Sequence, residues 1–474
     1  MAHIDVRVPG TGPQTAGDEA ITRRFEPRRV WWQRWLWPWR AATLAAGLWC
    51  VRSSKRILDV VVASGVLLAT APFTVVLVAA SLLAGRPVLQ REAFLGRHAR
   101  LRERYRFSLP GGRPGRWAAR LRLDRLGSWV NVFAGDLSLV GPRPAAPGAL
   151  ALAGPQARQR LEVRPGLVSL WWVRDRTRIA FDPEDHIEAE YIANQSTLGD
   201  VGLAARGLAA ALYGAAGSAP TGQVRILGIP IANLSMDEAV KAIMARLDGD
   251  RPVTVFFTNP HCANLACADS DYRQVLCQAD LNLVDGIGMR IAGRILGQDI
   301  AQNVNGTDLF PRLCVAMAAT GHGLFLLGGR PGVAEGVRDW LASHHPAVRV
   351  CGWHHGYFTP AEEPQLLARM AASGAHLVLV AFGVPRQEKW LSAHLAETGA
   401  RVGMGVGGLF DFYSGRLPRA PQWLRELGLE WTYRLYQEPG RMWRRYLVGN
   451  AAFLLRVLRQ RWRSPNRPQA PEAI

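Results

Sequence analysis

The stretch LVDGIGMRIAGRILG, residues 283–297, reads as the end of a strand running into a helix, with Asp285-Gly286 at the junction. Ligands of open α/β sheets bind at the carboxyl ends of strands, so a carboxylate set there is placed for chemistry. Short apolar runs at 253–257, 281–284, 324–327, 377–382 and 402–406 alternate with segments of helix length. That alternation predicts a Rossmann-like α/β domain over 224–440, a parallel sheet with helices on both faces. Asp285 has two readings here. It is either a general base that takes a proton from an attacking hydroxyl, or a cap on the following helix.

Outward from this domain the composition changes. GAAGSAPTGQ (214–223) is a linker, and 52–213 reads as a mixed α+β, Arg-rich domain. That domain opens on the apolar run 57–84, which as one helix would be about 42 Å long against a hydrocarbon core of roughly 30 Å. Pro72 is expected to kink it. Arg52, Lys55 and Arg56 flank one end, and Arg86 and Arg91 the other. The positive-inside rule then puts both ends in the cytoplasm, which favours a kinked, re-entrant helix over a spanning or a buried one. Residues 1–51 form a separate segment, polar and expected to be disordered over 1–27. In RRVWWQRWLWPWR (28–40) five Trp interleave with Arg. That suits a membrane surface, or else packing on the next domain. The basic amphipathic tail, 441–474, either lies on an anionic bilayer or packs on its own domain.

The 474 residues carry a net charge of +19, which favours an anionic partner. The 17 Trp point to anionic membrane lipid, and no nucleic-acid-binding motif is present. Six Cys without a CxxC pair argue against a zinc or thioredoxin site. DSD (269–271) reads as a solvated helix face, leaving the sheet domain without a metal site.

Further motifs follow in order: FFTNPHCANL (256–265), NVNGTDLF (303–310), FLLGGRPGVAE (325–335), VAFGVPRQEKW (380–390), GVGGLFDFYSGRLPRAP (405–421) and LGLEWTYRLYQEPGR (427–441). With the Asp285 stretch they resemble the WecG/TagA/CpsF glycosyltransferases, glycosyltransferase family 26, over about residues 225–445. The resemblance implies an inverting hexosyltransferase that moves a sugar from a nucleotide-sugar, a UDP-sugar, to a polyprenyl-diphosphate-linked acceptor without a metal cofactor. It supports Asp285 as base and puts Thr258, Asn259 and Asn303 at substrate-binding motif positions. Gly328 and Gly329 let backbone N–H groups approach a diphosphate. Gln387 suits sugar hydroxyls or a base edge, while Glu388 binds beside it or pins the loop. Asp411 binds the acceptor sugar or orients the neighbours of Asp285. Two departures stand out: Phe257 occupies a position where many members carry Thr, and Asn303 one where many carry Arg. Arg416, Arg419, Arg434 and Arg441 are the candidates to replace that positive charge.

In the front half, LRLDRLGSWVNVFAGDLSLVGPRP (121–144) and VRPGLVSLWWV (163–173) resemble the bacterial sugar transferases, monotopic polyprenyl-phosphate phosphoglycosyl transferases, over 52–212. The resemblance implies an Asp nucleophile, matched by Asp124, beside a Glu that helps hold Mg²⁺. Arg125 stands in the Glu position. Like unit charges ~4 Å apart cost roughly 1–4 kcal/mol, and a divalent ion doubles that. The expected role is therefore a membrane dock, with Mg²⁺ relevant only if the domain is active. Arg143 and Arg164 either bind lipid phosphate or form fold-stabilising ion pairs. The whole reads as an enzyme of surface-polysaccharide synthesis on the cytoplasmic face of the bacterial inner membrane. A bifunctional enzyme that also transfers sugar phosphate, and a non-catalytic scaffold for other glycan-assembly enzymes, are the alternatives.

Overall fold

The computed structural model describes residues 31–83, 85, 87–108, 123–148, 158–179, 181–213 and 222–463, with backbone alone for 31–52 and 80. The stretch expected to be disordered, most of the 214–223 linker and the end of the tail lie outside the described residues.

The front half begins with one helix, Trp31–Leu83, unbroken through Pro72. Thr70 and Thr74 donate side-chain bonds to Val66 O (2.7 Å) and Thr70 O (3.0 Å), on either side of the donor that Pro72 lacks. Its Ser53–Leu83 portion is long and apolar enough to cross a membrane, and Leu68, Val75 and Leu83 are exposed.

After the helix come β1 (Leu89–Leu95) and β2 (Leu101–Phe107), an antiparallel pair, and the helix Gly127–Ala134. Next are β3 (Ser138–Val140) and β4 (Gly166–Val168), a parallel pair, then helices Leu170–Arg176, Glu184–Ala193 and Thr197–Tyr213. A Cβ on Gly166 would sit 2.1 Å from Gly141 N, so the Gly-Pro-Arg-Pro and Arg-Pro-Gly motifs can cross only as glycines. The basic flank of the long helix is a clamp on this crossing. Lys55 donates to Val140 O (2.8 Å) and pairs with Asp200, and Arg56 donates to Val132 O and Phe133 O at 2.7 Å each. Buried Asp59, a carboxylate inside the apolar run, accepts from Ser138 Oγ (2.8 Å) and Leu139 N (2.9 Å).

The back half is one eight-stranded sheet: β5 (Gly222–Ile226), β6 (Ile229–Asn233), β7 (Val253–Thr258), β8 (Leu281–Val284), β9 (Gly323–Gly328), β10 (Arg349–His354), β11 (Leu377–Ala381) and β12 (Val402–Gly405), in the order β10-β9-β11-β12-β7-β8-β6-β5. β5 alone runs antiparallel. Every strand of the expected parallel sheet is present.

Strand alternation feeds a core on each face. Val255, Leu324, Leu326, Leu377 and Leu379 face one core, and Phe256, Phe325, Leu327, Val378 and Val380 the other. Helix starts are written locally: Ser235 and Glu238 form a capping box. Asp269 caps Ser270–Gln278 and pairs with Lys389 at 2.8 Å, and Ser270 and Asp271 are exposed, so the DSD stretch is a helix start on a solvated face. The tail belongs to this domain. Helix Gly449–Arg463 buries Phe453 and Val457 in the second core, and Leu455 and Trp462 remain exposed.

Candidate active site

The β7–β8 register sets Thr258 opposite Val284, so the next residues, Asn259 and Asp285, leave neighbouring strand tips side by side. Asn259 Nδ2 donates to Asp285 Oδ2 at 3.2 Å. Its Oδ1 accepts from His261 N (3.0 Å) and Cys262 N (3.1 Å), capping helix Pro260–Ala266. One amide therefore fixes a helix and a carboxylate. Gly286, at φ +90°, turns the chain into helix Ile287–Leu296, whose start has no side-chain cap. Asp285 is thus not a helix cap, and it lines the cleft. Gly286 N donates to Asn303 Oδ1 at 2.6 Å.

The cleft above these residues has a volume of about 180 Å³, and the C-terminal segment supplies Arg425, Glu430, Arg434 and Arg445 to its wall. Burial lifts the Asp285 carboxyl above the ordinary aspartate range; the Asn259 hydrogen bond and the charges of Arg445 and Arg434 pull it back. Burial, with Arg445, lowers His261 to about 4, so its ring is neutral. Glu430 is a second carboxylate in the cleft, raised by burial, but its oxygen pairs with Arg419 at 3.5 Å. Arg434 lies over the Phe412 ring at 4.9 Å.

Of the residues singled out from sequence, Asn259, Asp285, Asn303 and Arg434 meet in this cleft. Others lie elsewhere. Thr258 is fully buried, its hydroxyl 3.5 Å from Asn282 Oδ1. Gly328 and Gly329 serve strand packing: a Cβ on Gly328 would meet the Ala381 backbone at 2.7 Å, and Gly329 N donates to Ala381 O at 3.1 Å. Gln387 and Glu388 are interior. Gln387 Oε1 accepts from Gly383 N and Gly407 N, tying two loops, and its Nε2 donates to Glu388 at 2.8 Å. Burial pushes Glu388 up to about 7. Asp411 is paired with Arg416 (2.8 Å), Arg419 with Asp308 (2.7 Å), and exposed Arg441 with Glu438 (3.6 Å).

In the front half, Asp124 Oδ2 is 2.5 Å from Arg106 Nη2. Arg143 pairs with Glu184 at 3.1 Å and covers the Trp171 ring at 4.9 Å, and the Arg164 carbonyl packs on Gly141. Sequence reasoning missed His261, Arg425, Glu430 and Arg445 as cleft residues. The Asn-x-x-Asp cap of Asn305 on Asp308 N (2.9 Å) was the one local signal for that wall, and it marks a helix start, not a cleft.

Sheet topology, a carboxylate on a strand tip and arginines facing it define a group-transfer enzyme of the α/β class. Residues 224–467 match the family model described as the glycosyl transferase WecG/TagA/CpsF family, and residues 112–214 that described as bacterial sugar transferase. The chain belongs to the WecG/TagA/CpsF glycosyltransferase family. Among its relatives is an N-acetylglucosaminyldiphosphoundecaprenol N-acetyl-beta-D-mannosaminyltransferase of Bacillus subtilis (strain 168), 31% identical over 224 residues, 47% of this chain and 86% of the relative. A Staphylococcus aureus (strain MRSA252) protein of the same description is 30% identical over 217 residues, 45% of this chain and 84% of the relative.

Proposed function

We propose that the back half transfers a sugar from a UDP-sugar to a hydroxyl of a polyprenyl-diphosphate-linked acceptor, with inversion. The chemistry is that named for the relatives, whose descriptions give an N-acetylglucosaminyl-diphosphoundecaprenol acceptor. The observation that carries the reading is the Asp285 carboxylate, half held by the neutral Asn259 amide in a cleft walled by Arg434 and Arg445. Asp285 takes the acceptor hydroxyl proton as that oxygen bonds to the anomeric carbon. The bond from that carbon to the diphosphate oxygen breaks, and UDP leaves with the electron pair. Arg425, Arg434 and Arg445 stand where the departing negative charge develops and need no metal to meet it. They stand in for the arginine that Asn303 replaces.

The front half is a dock that holds this cleft beside its lipid-borne acceptor on the cytoplasmic face of the inner membrane. The exposed apolar helix Ser53–Leu83 and the engagement of Asp124 by Arg106 support that role. Confinement to the bilayer raises the effective concentration of acceptor. The test is full-length protein in phospholipid vesicles with N-acetylglucosaminyl-diphosphoundecaprenol and a UDP-sugar panel that includes UDP-N-acetylmannosamine. Mass spectrometry should find a one-sugar extension that Asp285→Asn abolishes; no extension with any donor overturns the reading.

A further inference from the structure

The two halves are joined by more than a linker. Buried Arg174 pairs with Glu190 (2.7 Å) and with Glu426 of the back half (3.0 Å), which also takes Arg206. Gln422 donates to Glu190 at 3.1 Å, Arg312 pairs with Asp182 at 2.7 Å, and Phe181 packs against the back-half core. Removing one partner of a buried pair leaves the other uncompensated, so these contacts fix the halves in one arrangement.

The segment they fix is the turn after helix Leu170–Arg176. Thr177 is buried and its hydroxyl donates to Val173 O at 2.9 Å. Arg178 has φ +60°, a left-handed conformation rare outside glycine, and Ile179 N donates to Arg174 O at 2.9 Å. A non-glycine residue held in that region needs surroundings that over-determine it, and such residues gather where position matters. Here the three carbonyls of the turn all point into the back half. Arg178 O accepts from Asn303 N at 3.2 Å. Arg176 O accepts from Arg290 Nη2 at 3.2 Å, and Thr177 O from Arg290 Nη1.

Both donors adjoin the Asp285-Gly286 turn. Asn303 holds the Gly286 amide through Oδ1, and Arg290 lies on the helix that Gly286 starts. One side of the Asp285-Gly286 turn is thus tied to the front half through Asn303, and the other through Arg290. Gly286, at φ +90°, has no side chain to set its own position.

We propose that the Arg176–Arg178 turn of the front half positions the Asp285 carboxylate, with Asn303 and Arg290 as positioning residues, so that the sugar-transferase-like domain is a working part of the glycosyl-transfer site. The inference rests on Asp285 being the base. It goes beyond docking, because a dock supplies proximity and leaves the geometry of the base alone. A displacement of ~1 Å at a reacting group costs about 10²-fold in rate.

The test uses full-length protein in phospholipid vesicles, UDP-N-acetylmannosamine as donor and N-acetylglucosaminyl-diphosphoundecaprenol as acceptor. Asn303→Ala and Arg290→Ala should each lower kcat at least tenfold, with KM for the donor within twofold. Their acidic kcat limb should move to lower pH as water reaches Asp285, and Arg290→Lys, which still donates to the carbonyls, should recover most of the loss. Independently of activity, hydrogen–deuterium exchange in the peptide spanning 285–290 should speed up at least fivefold in both alanine variants. If Arg290→Ala proves too unstable to assay, Asn303→Ala, at the cleft surface, carries the same readouts. Unchanged exchange, or a fall in kcat with an unmoved pH limb, overturns the proposal. Asp285→Asn separates the two failures. If it stays active, the base assignment fails; if it is inactive while both alanine variants match the wild type, only the positioning fails.

Discussion

Two aspartates, one in each half, sit at the head of the motifs that give each half its resemblance, and their surroundings differ in kind. Asp124 meets a guanidinium: Arg106 lies 2.5 Å from its carboxylate, in a cluster where Arg104 and Arg106 also share Glu92. Asp285 meets a neutral amide at 3.2 Å, with burial raising its proton affinity and the cleft arginines moderating the rise. An arginine clamp occupies a carboxylate oxygen that a nucleophile or a metal ligand would need. A single hydrogen bond from a side-chain amide orients the group without neutralising its charge. On the proposed roles, motif position alone does not make an aspartate reactive, and the charge of its nearest partner sets how much of the carboxylate stays open.

The sharpest way to break this contrast is Asp285→Asn. Loss of a general base costs about 10²–10⁴-fold, so kcat should fall by that amount in initial-rate measurements of lipid-product formation. Because Asp285 is shifted upward by burial, the acidic limb of the wild-type kcat profile should lie above the ordinary aspartate range, and activity should rise as pH climbs through it. More than a tenth of wild-type kcat in the variant would end the assignment. Next in size are the cleft arginines. Arg434→Ala and Arg445→Ala each remove a positive charge facing the leaving diphosphate, and each should cost roughly 10²–10³-fold in kcat.

Glu388 sharpens the contrast from another side, because it too is held by an amide and buried, yet it does not line the cleft. Its carboxyl is pushed from 4.5 to about 7. A raised acid binds its proton more tightly in the folded state, so stability is lost as pH rises from about 4.5 through about 7. Glu388→Gln removes that penalty. In urea unfolding of the detergent-solubilised protein it should be more stable than wild type by roughly 3 kcal/mol at pH 8, with the difference vanishing near pH 4. A variant no more stable at pH 8 would show that the burial penalty is met by something other than protonation.

Much of this was legible in advance. The short apolar runs 253–257, 324–327 and 377–382 gave the strands because both faces of the sheet bury side chains. Asn259 and Asp285 could be named because both follow strand ends, though only the β7–β8 register shows that they touch. Gln387, Glu388, Gly328 and Gly329 sit at strand ends too, but β9 and β11 are separated from β8 by β12 and β7, so their turns close on loops and on each other. Long-range partners were invisible: Arg445 is one arginine among many in the tail, and no spacing rule brings it to residue 285. Asp59 was the missed local signal, since a carboxylate in an apolar run demands a partner, here Ser138 and Leu139.

The smallest expected effect falls on the other aspartate. Asp124→Asn should leave glycosyl transfer by full-length protein within about twofold of wild type, since Asp124 bonds to Arg106 within the front half and the turn that reaches Asn303 and Arg290 lies some fifty residues further along the chain. The same variant probes sugar-phosphate transfer. Wild-type protein given Mg²⁺, polyprenyl phosphate and a UDP-sugar should release no UMP above the Asp124→Asn background. Release that is Mg²⁺-dependent and lost in Asp124→Asn would mean that Arg106 yields the carboxylate when substrate arrives, and the two aspartates would then be a pair of active centres on one chain.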